Sequence, residues 1–214
     1  MKAEKEKIDW NGIISLFNTI KSMYALCEET DSELNTNLQP LNEFRAALDH
    51  LMRIVAIEKT EEYAEKDAYE EAKKLKSHLR RAFFDICDMA SINYRNKIID
   101  VLEKYDVDEI QHAIPNYYSE IRPRIELISE EIAILRTEKR FSQKKDDDNV
   151  IEEYPKIIEE LQQYYKIVNS ALSSLIEIRK KSEKAKKTHK FSNIIIPIIG
   201  LLVGFAGVVV AILK

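Results

Sequence analysis

An uncharged stretch at the C-terminal end of the chain constrains the fold more than any other feature. Residues 194–213 read IIIPIIGLLVGFAGVVVAIL and contain no charged side chain. At a rise of 1.5 Å per residue, a helix over this stretch is about 30 Å long, which matches the hydrocarbon core of a bilayer. The N-terminal sequence MKAEKEKIDW lacks the apolar run of a signal peptide. We therefore predict a tail-anchored protein in which residues 191–214 form a single transmembrane helix.

The segment just before this apolar stretch is strongly basic. Between residues 179 and 190 Glu183 is the only acidic residue. Positive charge beside a membrane span favours the cytoplasmic side, so we expect residues 1–190 to be cytoplasmic. Such a cluster also attracts anionic lipid headgroups. The basic residues that we expect to bind membrane lipids are Arg179, Lys180, Lys181, Lys184, Lys186, Lys187 and Lys190.

Small residues lie along one face of the predicted span. Gly200, Gly204, Gly207 and Ala211 follow one another at spacings of four, three and four. In lipid, helices associate through close van der Waals contact, which small residues permit. We therefore predict a homo-oligomer that packs through this face, with a tolerant single-pass anchor as the alternative.

The composition of the chain favours an all-α fold. It has 4 glycines and 5 prolines in 214 residues, which is too few for the many turns of a barrel or sandwich. The net charge is −4, so affinity for RNA or lipid has to come from local patches. The two cysteines, Cys27 and Cys87, lie within apolar helical patterns. We expect reduced thiols there rather than a disulfide.

Apolar spacings of three and four predict helices throughout the remaining chain. The first helix, about 8–27, is expected to bury a stripe formed by Ile13, Phe17, Ile20 and Tyr24. The second helix, about 41–59, is expected to bury Leu41, Phe44, Leu48, Leu51 and Val55. A third helix over about 61–105, with Thr60 as a candidate cap, is highly charged up to Lys76, so its first half is expected to be mostly solvated. Pro115 and Pro123 are expected to interrupt a fourth helix.

The fifth helix, about 150–187, has the most regular pattern. Its apolar residues alternate spacings of three and four, at Ile151, Tyr154, Ile158, Leu161, Tyr165, Val168, Leu172 and Leu175. This spacing is typical of a coiled-coil seam. A similar stripe at residues 121–135 lies one short loop earlier. We therefore predict that residues 116–190 form an antiparallel coiled-coil hairpin with a basic juxtamembrane end.

No common nucleotide or metal motif occurs in the chain. The sequence contains neither GxxxxGK[ST], GxGxxG nor GxSxG, and three of its four glycines lie in the apolar stretch. His78 and His112 have no cysteine or acidic residue at metal-ligand spacing. We predict no metal and no cofactor.

One histidine stands in a distinctive setting. In the segment NEFRAALDHLMRI, Arg45 precedes His50 by five residues, and Asp49 is adjacent. This spacing resembles the Arg-x4-His motif of the HEPN superfamily, whose small up-and-down helical bundles often dimerise to form metal-independent ribonucleases. The stretch from Tyr69 to Ile99 also looks like the helix that packs against the motif helix in such domains. The resemblance covers roughly residues 8–115, so we predict a HEPN-like bundle over residues 1–115.

The resemblance implies roles for these residues. In active members, arginine and histidine from two subunits converge on the scissile phosphate, because a cation stabilises the charge while imidazole moves a proton. It therefore implies Arg45 and His50 as catalytic residues, with Asp49 in support. Active members usually carry a polar residue after the arginine, where this chain has Ala46. The sequence therefore leans towards a protein that is not an enzyme. It leaves open a structural alternative in which Arg45 pairs with Asp49 along one helix and His50, beside Leu51, is a satisfied core histidine.

A membrane-tethered HEPN-like domain looks like the membrane-associated accessory proteins of type VI CRISPR and related antiphage systems. This resemblance implies a bacterial inner-membrane effector that oligomerises and perturbs the bilayer on an RNA-linked signal, with RNA or a CRISPR effector complex as further partners. One alternative is a membrane-tethered HEPN ribonuclease that uses Arg45 and His50. A second alternative is a tail-anchored helical adaptor without activity of its own.

Overall fold

The computed structural model describes residues 7–31, 38–59, 67–141 and 148–186. All regular structure in these ranges is helical, and they contain no strand, so the all-α prediction is confirmed. After α6 and a turn at Ala171 the chain is helical again over 172–186. The elements are α1 (Trp10–Thr30), α2 (Leu38–Lys59), α3 (Ala68–Leu102), α4 (Val107–Ala113), a π-helical turn (Tyr117–Ile121), α5 (Arg122–Phe141) and α6 (Asp148–Ser170).

The long helix α3 is the centre of the fold, and α1, α2 and α6 pack around it. Asp67 caps its start, because the carboxylate accepts a hydrogen bond from Tyr69 N–H at 2.9 Å. Burial continues along most of its length, with Leu75, Leu79, Ala82, Phe83, Ile86, Cys87, Ala90 and Ile98 in the core. The expectation of a mostly solvated first half holds only in part, because Glu70, Lys73 and Lys74 are exposed but Glu71, Ala72 and Leu75 are buried. The proposed cap Thr60 lies outside the described residues.

Helix α1 buries Ile13 and Ile20 as predicted, but Leu16 and Met23 are buried in place of Phe17 and of Tyr24, which is only partly buried. Asp9 accepts a hydrogen bond from Gly12 N–H at 2.9 Å and starts the helix. Ile13, Leu16, Ile20, Met23 and Cys27 are buried. Phe17, which we expected in the core, is 47% exposed. Apolar residues cover more than half of the circumference of α1, so periodicity alone did not identify the face that meets α3.

The buried face of helix α2 only partly overlaps the predicted one, since Phe44 and Leu51 are partly buried against the core. Ala47 and Ile54 are buried against α3. Leu41, Leu48 and Val55 were predicted to be buried, but they are exposed. The buried face of α2 also carries Glu43 and His50, whose partners lie on α3. These polar contacts determine which side of α2 is turned inward.

The chain between α3 and α5 breaks at Pro115, as expected, but it stays helical through Pro123, where a second break was expected. Glu109 Oε2 accepts a hydrogen bond from Asp106 N–H at 3.1 Å, which secures the start of α4. Helix α4 ends just before Pro115, and a π-helical turn leads into α5, whose second residue is Pro123. Proline is tolerated in a first helical turn, because the N–H that it lacks has no helical partner there.

Helices α5 and α6 fold back on one another and share the core of α1–α3. Arg124 links them, since its Nε and Nη2 each donate to Glu160 at 2.8 Å, while Nη1 donates to Glu131 at 2.6 Å. The seam positions of α6 are buried or partly buried. Ile128, Ile132, Tyr154, Ile158 and Leu161 belong to one apolar cluster with Phe83 of α3. The predicted hairpin residues therefore pack on α3.

Both cysteines are buried free thiols, as expected. Burial is the main cause that raises the pKa of Cys27, to about 11. None of the described helices has the length and apolar character needed to cross a membrane. The predicted span at residues 191–214, with Gly200, Gly204, Gly207 and Ala211, lies outside the described residues.

Candidate functional site

A cluster of two glutamates and two histidines joins α2 to α3. Glu43 and His50 are seven residues apart on α2, and Glu71 and His78 are seven residues apart on α3. Seven residues are about two helical turns, so each pair lies on one face of its helix. The helices run antiparallel, and each histidine therefore meets the glutamate of the other helix. His50 Nδ1 lies 2.6 Å from Glu71 Oε2, and His78 Nδ1 lies 2.7 Å from Glu43 Oε2. We call these four residues the Glu–His cluster.

The two imidazole rings stack in the middle of this cluster. Their centroids are 5.2 Å apart and their planes differ by 24°. The side chain of His50 is 13% exposed and that of His78 is 21% exposed. Each ring is oriented by a carboxylate at Nδ1, which leaves Nε2 for proton transfer. The cluster therefore has the components of an acid–base pair, and it also ties α2 to α3.

Glu71 is held as a carboxylate by cations and by His50. Lys74 Nζ donates to Glu71 Oε1 at 2.8 Å, and Arg53 Nη1 lies 3.8 Å from Oε2. The hydrogen bond from Lys74 has the largest effect and, with that from His50, lowers the pKa of Glu71 to about 2 against the opposing effect of burial. An ionised carboxylate only accepts hydrogen bonds, so His50 donates its Nδ1 proton to Glu71.

Glu43 has a similar environment on the other side of the cluster. Burial is the largest single effect and opposes ionisation, but hydrogen bonds from Arg81 and His78 together outweigh it and lower the pKa of Glu43. Arg81 Nε donates to Glu43 Oε2 at 2.8 Å, and Arg81 Nη2 lies 2.6 Å from His78 Nδ1. His78 Nδ1 donates a hydrogen bond to Glu43 when it carries a proton, and it accepts one from Arg81 when it does not.

The structure does not bring Arg45 and His50 together within one chain. The two residues are five positions apart, which is about 140° around the helix. His50 faces α3, whereas the side chain of Arg45 is exposed and makes no ion pair with any of the described residues. Asp49 pairs with Arg53, whose Nη2 donates at 2.6 Å, and the alternative pairing of Asp49 with Arg45 is therefore wrong.

Glu43, Glu71 and His78 were not identified from the sequence. The sequence does contain a pattern that indicates the cluster, because Glu43 and His50 on one helix and Glu71 and His78 on the next have the same Glu-x6-His spacing. Equal spacing on antiparallel helices places each histidine opposite a glutamate. The pairing also requires the register of α2 on α3, which spacing within one helix does not supply.

Exposed apolar residues form a regular stripe on the opposite side of α2. We call Leu38, Leu41, Arg45, Leu48, Met52, Val55 and Lys59 the α2 stripe, and their spacings alternate three and four. Its five apolar members are between 40% and 67% exposed. Apolar residues at this spacing over three heptads are typical of a coiled-coil seam. No partner for this seam occurs among the described helices.

The predicted lipid-binding residues lie partly within the 172–186 segment. Arg179 donates to the Lys104 carbonyl and pairs with Glu183 at 3.3 Å. Lys181 pairs with Glu177 at 2.8 Å, and Lys186 pairs with Asp106 at 3.3 Å. All of these pairs are exposed, where an ion pair contributes little and a headgroup can replace it. Lys187 and Lys190 lie outside the described residues.

Known proteins supply no match for this chain. Comparison with protein-family models, with curated proteins and with solved structures finds none. Within the described ranges, no group of three or more histidine, cysteine or acidic side chains is arranged to hold a metal ion. The described residues define a helical bundle with a Glu–His cluster on one face of α2 and an unpartnered seam on the other.

Proposed function

We propose that the protein is a membrane-tethered helical effector that self-associates through α2, and the HEPN resemblance suggests that it acts in antiphage defence. In this proposal the C-terminal apolar stretch anchors the chain, and the basic segment lies against the lipid headgroups. Paired bundles then bring several anchors together and perturb the inner membrane when an RNA-linked signal arrives.

The α2 stripe is the observation that carries this proposal. A row of exposed Leu, Met and Val side chains on one helix is unfavourable in water, and such a surface usually marks an interaction site. Its heptad spacing fits another helix with the same spacing. A second α2 provides this surface in the required register, so the proposed partner is a second copy of the chain.

Arg45 acquires a role in this arrangement that differs from catalysis. It lies at a seam position of the α2 stripe, and Asp49 lies beside the seam. A polar residue inside an apolar seam disfavours mismatched registers, because few registers provide it with a partner, and Arg45 is the charged member of the stripe that does not lie at its end. An antiparallel pairing that aligns Leu41 of one copy with Met52 of the other brings Arg45 towards Asp49 of that second copy and leaves His50 on the α3 side.

Two glutamates introduced into the α2 stripe test the proposal. We expect Met52→Glu combined with Val55→Glu to weaken self-association of the full-length protein about 100-fold or more, because the seam would bury unpaired like charges. Sedimentation equilibrium in density-matched detergent measures the association. The matched control is Ile92→Glu, which changes an exposed residue of α3 away from the stripe.

The same variants connect association to the membrane. In cells, entry of a membrane-impermeant dye should fall with Met52→Glu and Val55→Glu but not with Ile92→Glu. A native protein that is monomeric at all concentrations contradicts the proposal. If only Gly204→Leu dissociates the protein, the association belongs to the apolar stretch and not to α2.

RNA cleavage is a second candidate function, supported by the stacked imidazoles of the Glu–His cluster. Metal-free cleavage of RNA needs a base to activate the 2′-hydroxyl and an acid to protonate the leaving oxygen. His50 and His78 lie close enough to share these roles, and Arg53 and Arg81 are nearby cations. This candidate assigns catalysis to the cluster and not to Arg45.

Cleavage of labelled single-stranded RNA tests this second candidate. If the cluster is catalytic, His50→Ala and His78→Ala should each lower the rate at least 100-fold, within the range typical of acid–base catalysis. Arg45→Ala should then leave the rate unchanged. Loss of activity with Arg45→Ala as well would instead support the Arg45 and His50 pair. Absence of cleavage by a folded, associated protein favours the effector proposal.

A further inference from the structure

A groove between α1 and α2 is lined almost entirely by apolar side chains. Both helices pack against α3 and leave between them a volume of about 590 Å³. Ile14 and Phe17 line one wall, Phe44 and Leu48 line the other, and Leu79 of α3 lies at the base. This volume falls within the range of about 300–1,000 Å³ that is typical of small-molecule sites.

The lining of the groove fits an extended alkyl chain. Of the described residues that line it, only Lys21 is charged. An extended alkyl chain is thin and presents the apolar surface that these walls require.

The ends of the groove set the length and direction of such a ligand. The rings of Tyr24 and Phe44 meet edge to face, with centroids 6.3 Å apart, and close one end. Trp10 lines the other end. Trp10 and Tyr24 are fourteen residues apart on α1, which corresponds to about 21 Å. One acyl chain spans half of a bilayer core, about 15 Å, and therefore fits between them.

Lys21 provides a charge for the polar end of the ligand. It lines the groove one turn before Tyr24 and is the only charged residue among the described residues that do so. It makes no ion pair with any residue in the described part of the chain. An ammonium beside an apolar groove complements a carboxylate at the end of an alkyl chain. From Lys21 to Trp10 the groove extends about 16 Å, so the chain terminus reaches Trp10.

We infer that this groove binds a long-chain fatty acid, with its carboxylate at Lys21 and its terminal methyl group near Trp10. The inference depends on the proposed function only in that membrane association supplies such a ligand. The second copy occupies the α2 stripe, which shares only Leu48 with the groove. The two surfaces can therefore be tested separately.

Trp10 is the only tryptophan in the chain, so its fluorescence reports on the groove directly. Full-length protein in an amphipathic polymer free of tryptophan is titrated with hexadecanoate that carries bromine, a contact quencher, at carbon 16 or carbon 2. We expect saturable quenching that is stronger with bromine at carbon 16. Stronger quenching from carbon 2 overturns the orientation, and the absence of saturable quenching overturns the site.

Variants separate this site from the proposed self-association. Ile14→Glu should weaken binding at least tenfold, because it places a carboxylate in the apolar wall. Lys21→Gln should weaken the binding of hexadecanoate about 2- to 5-fold, since an exposed charge contributes only modestly to affinity. It should leave the binding of hexadecanol unchanged. Val55→Glu lies on the α2 stripe and should leave binding unchanged, whether or not it dissociates the protein. Binding that Ile14→Glu leaves intact, or quenching by brominated phosphatidylcholine alone, contradicts the inference.

Discussion

Replacing Phe83 with alanine is expected to lower the free energy of unfolding by about 3–5 kcal/mol. Phe83 lies on α3 and is fully buried. Its ring centroid is 5.5 Å from that of Phe84 and 6.4 Å from that of Tyr154, so it joins α3 to α6 within the shared core. Alanine would leave a cavity that the helices around α3 cannot close without losing other contacts.

Chemical denaturation followed by far-ultraviolet circular dichroism measures this loss. Phe17→Ala is the matched control, because the same side chain is removed from an exposed position. We expect Phe17→Ala to lower the free energy of unfolding by about 1 kcal/mol or less, since the native Phe17 side chain removes less apolar surface from water on folding. Equal losses in the two variants would contradict the placement of Phe83 at the centre of the core.

Replacing Glu71 with glutamine is expected to lower the free energy of unfolding by about 2 kcal/mol at pH 7. Glutamine has the same shape, but it lacks the charge that Lys74 and His50 stabilise. The pKa of Glu71 is lowered to about 2 in the folded protein, from an ordinary value near 4.5. A carboxylate with a lowered pKa stabilises the fold fully above the ordinary value, and this contribution disappears as the pH falls towards 2.

The pH dependence distinguishes this effect from a simple loss of packing. The stability difference between native protein and Glu71→Gln should be largest at neutral pH and should shrink between pH 5 and pH 3, as measured by denaturation at each pH. Glu70→Gln provides the control, because Glu70 also pairs with a lysine three residues later but is exposed. We expect its effect to stay below about 0.5 kcal/mol. A difference for Glu71→Gln that is constant with pH would contradict the assigned charge state.

The Glu–His cluster and the α2 stripe are consequences of one orientation of α2. Turning Glu43 and His50 towards α3 necessarily turns Leu41, Leu48 and Val55 towards solvent, because these two sets lie on opposite sides of the helix. The cluster thus positions the surface through which we propose that copies pair. Loss of the cluster should therefore weaken self-association as well as folding.

The sequence by itself determined the helical class of the protein and much of its division into helices. Few glycines and prolines, with apolar spacings of three and four, predicted an all-α fold. Pro115 marked a real break, and the seam from Ile151 to Leu175 is buried or partly buried. These features depend on residues close together in the chain, whose spacing alone places them on one face of a helix.

Only the tertiary structure decided which side of each helix meets the core. Helix α2 has two faces that could be buried. The face with Glu43 and His50 is turned inward because these residues have polar partners on α3, and Leu41, Leu48 and Val55 are therefore exposed. The groove between α1 and α2 arises in the same way, since it depends on how both helices sit on α3. Residues more than twenty positions apart make these contacts, and periodicity within one helix carries no information about partners on another.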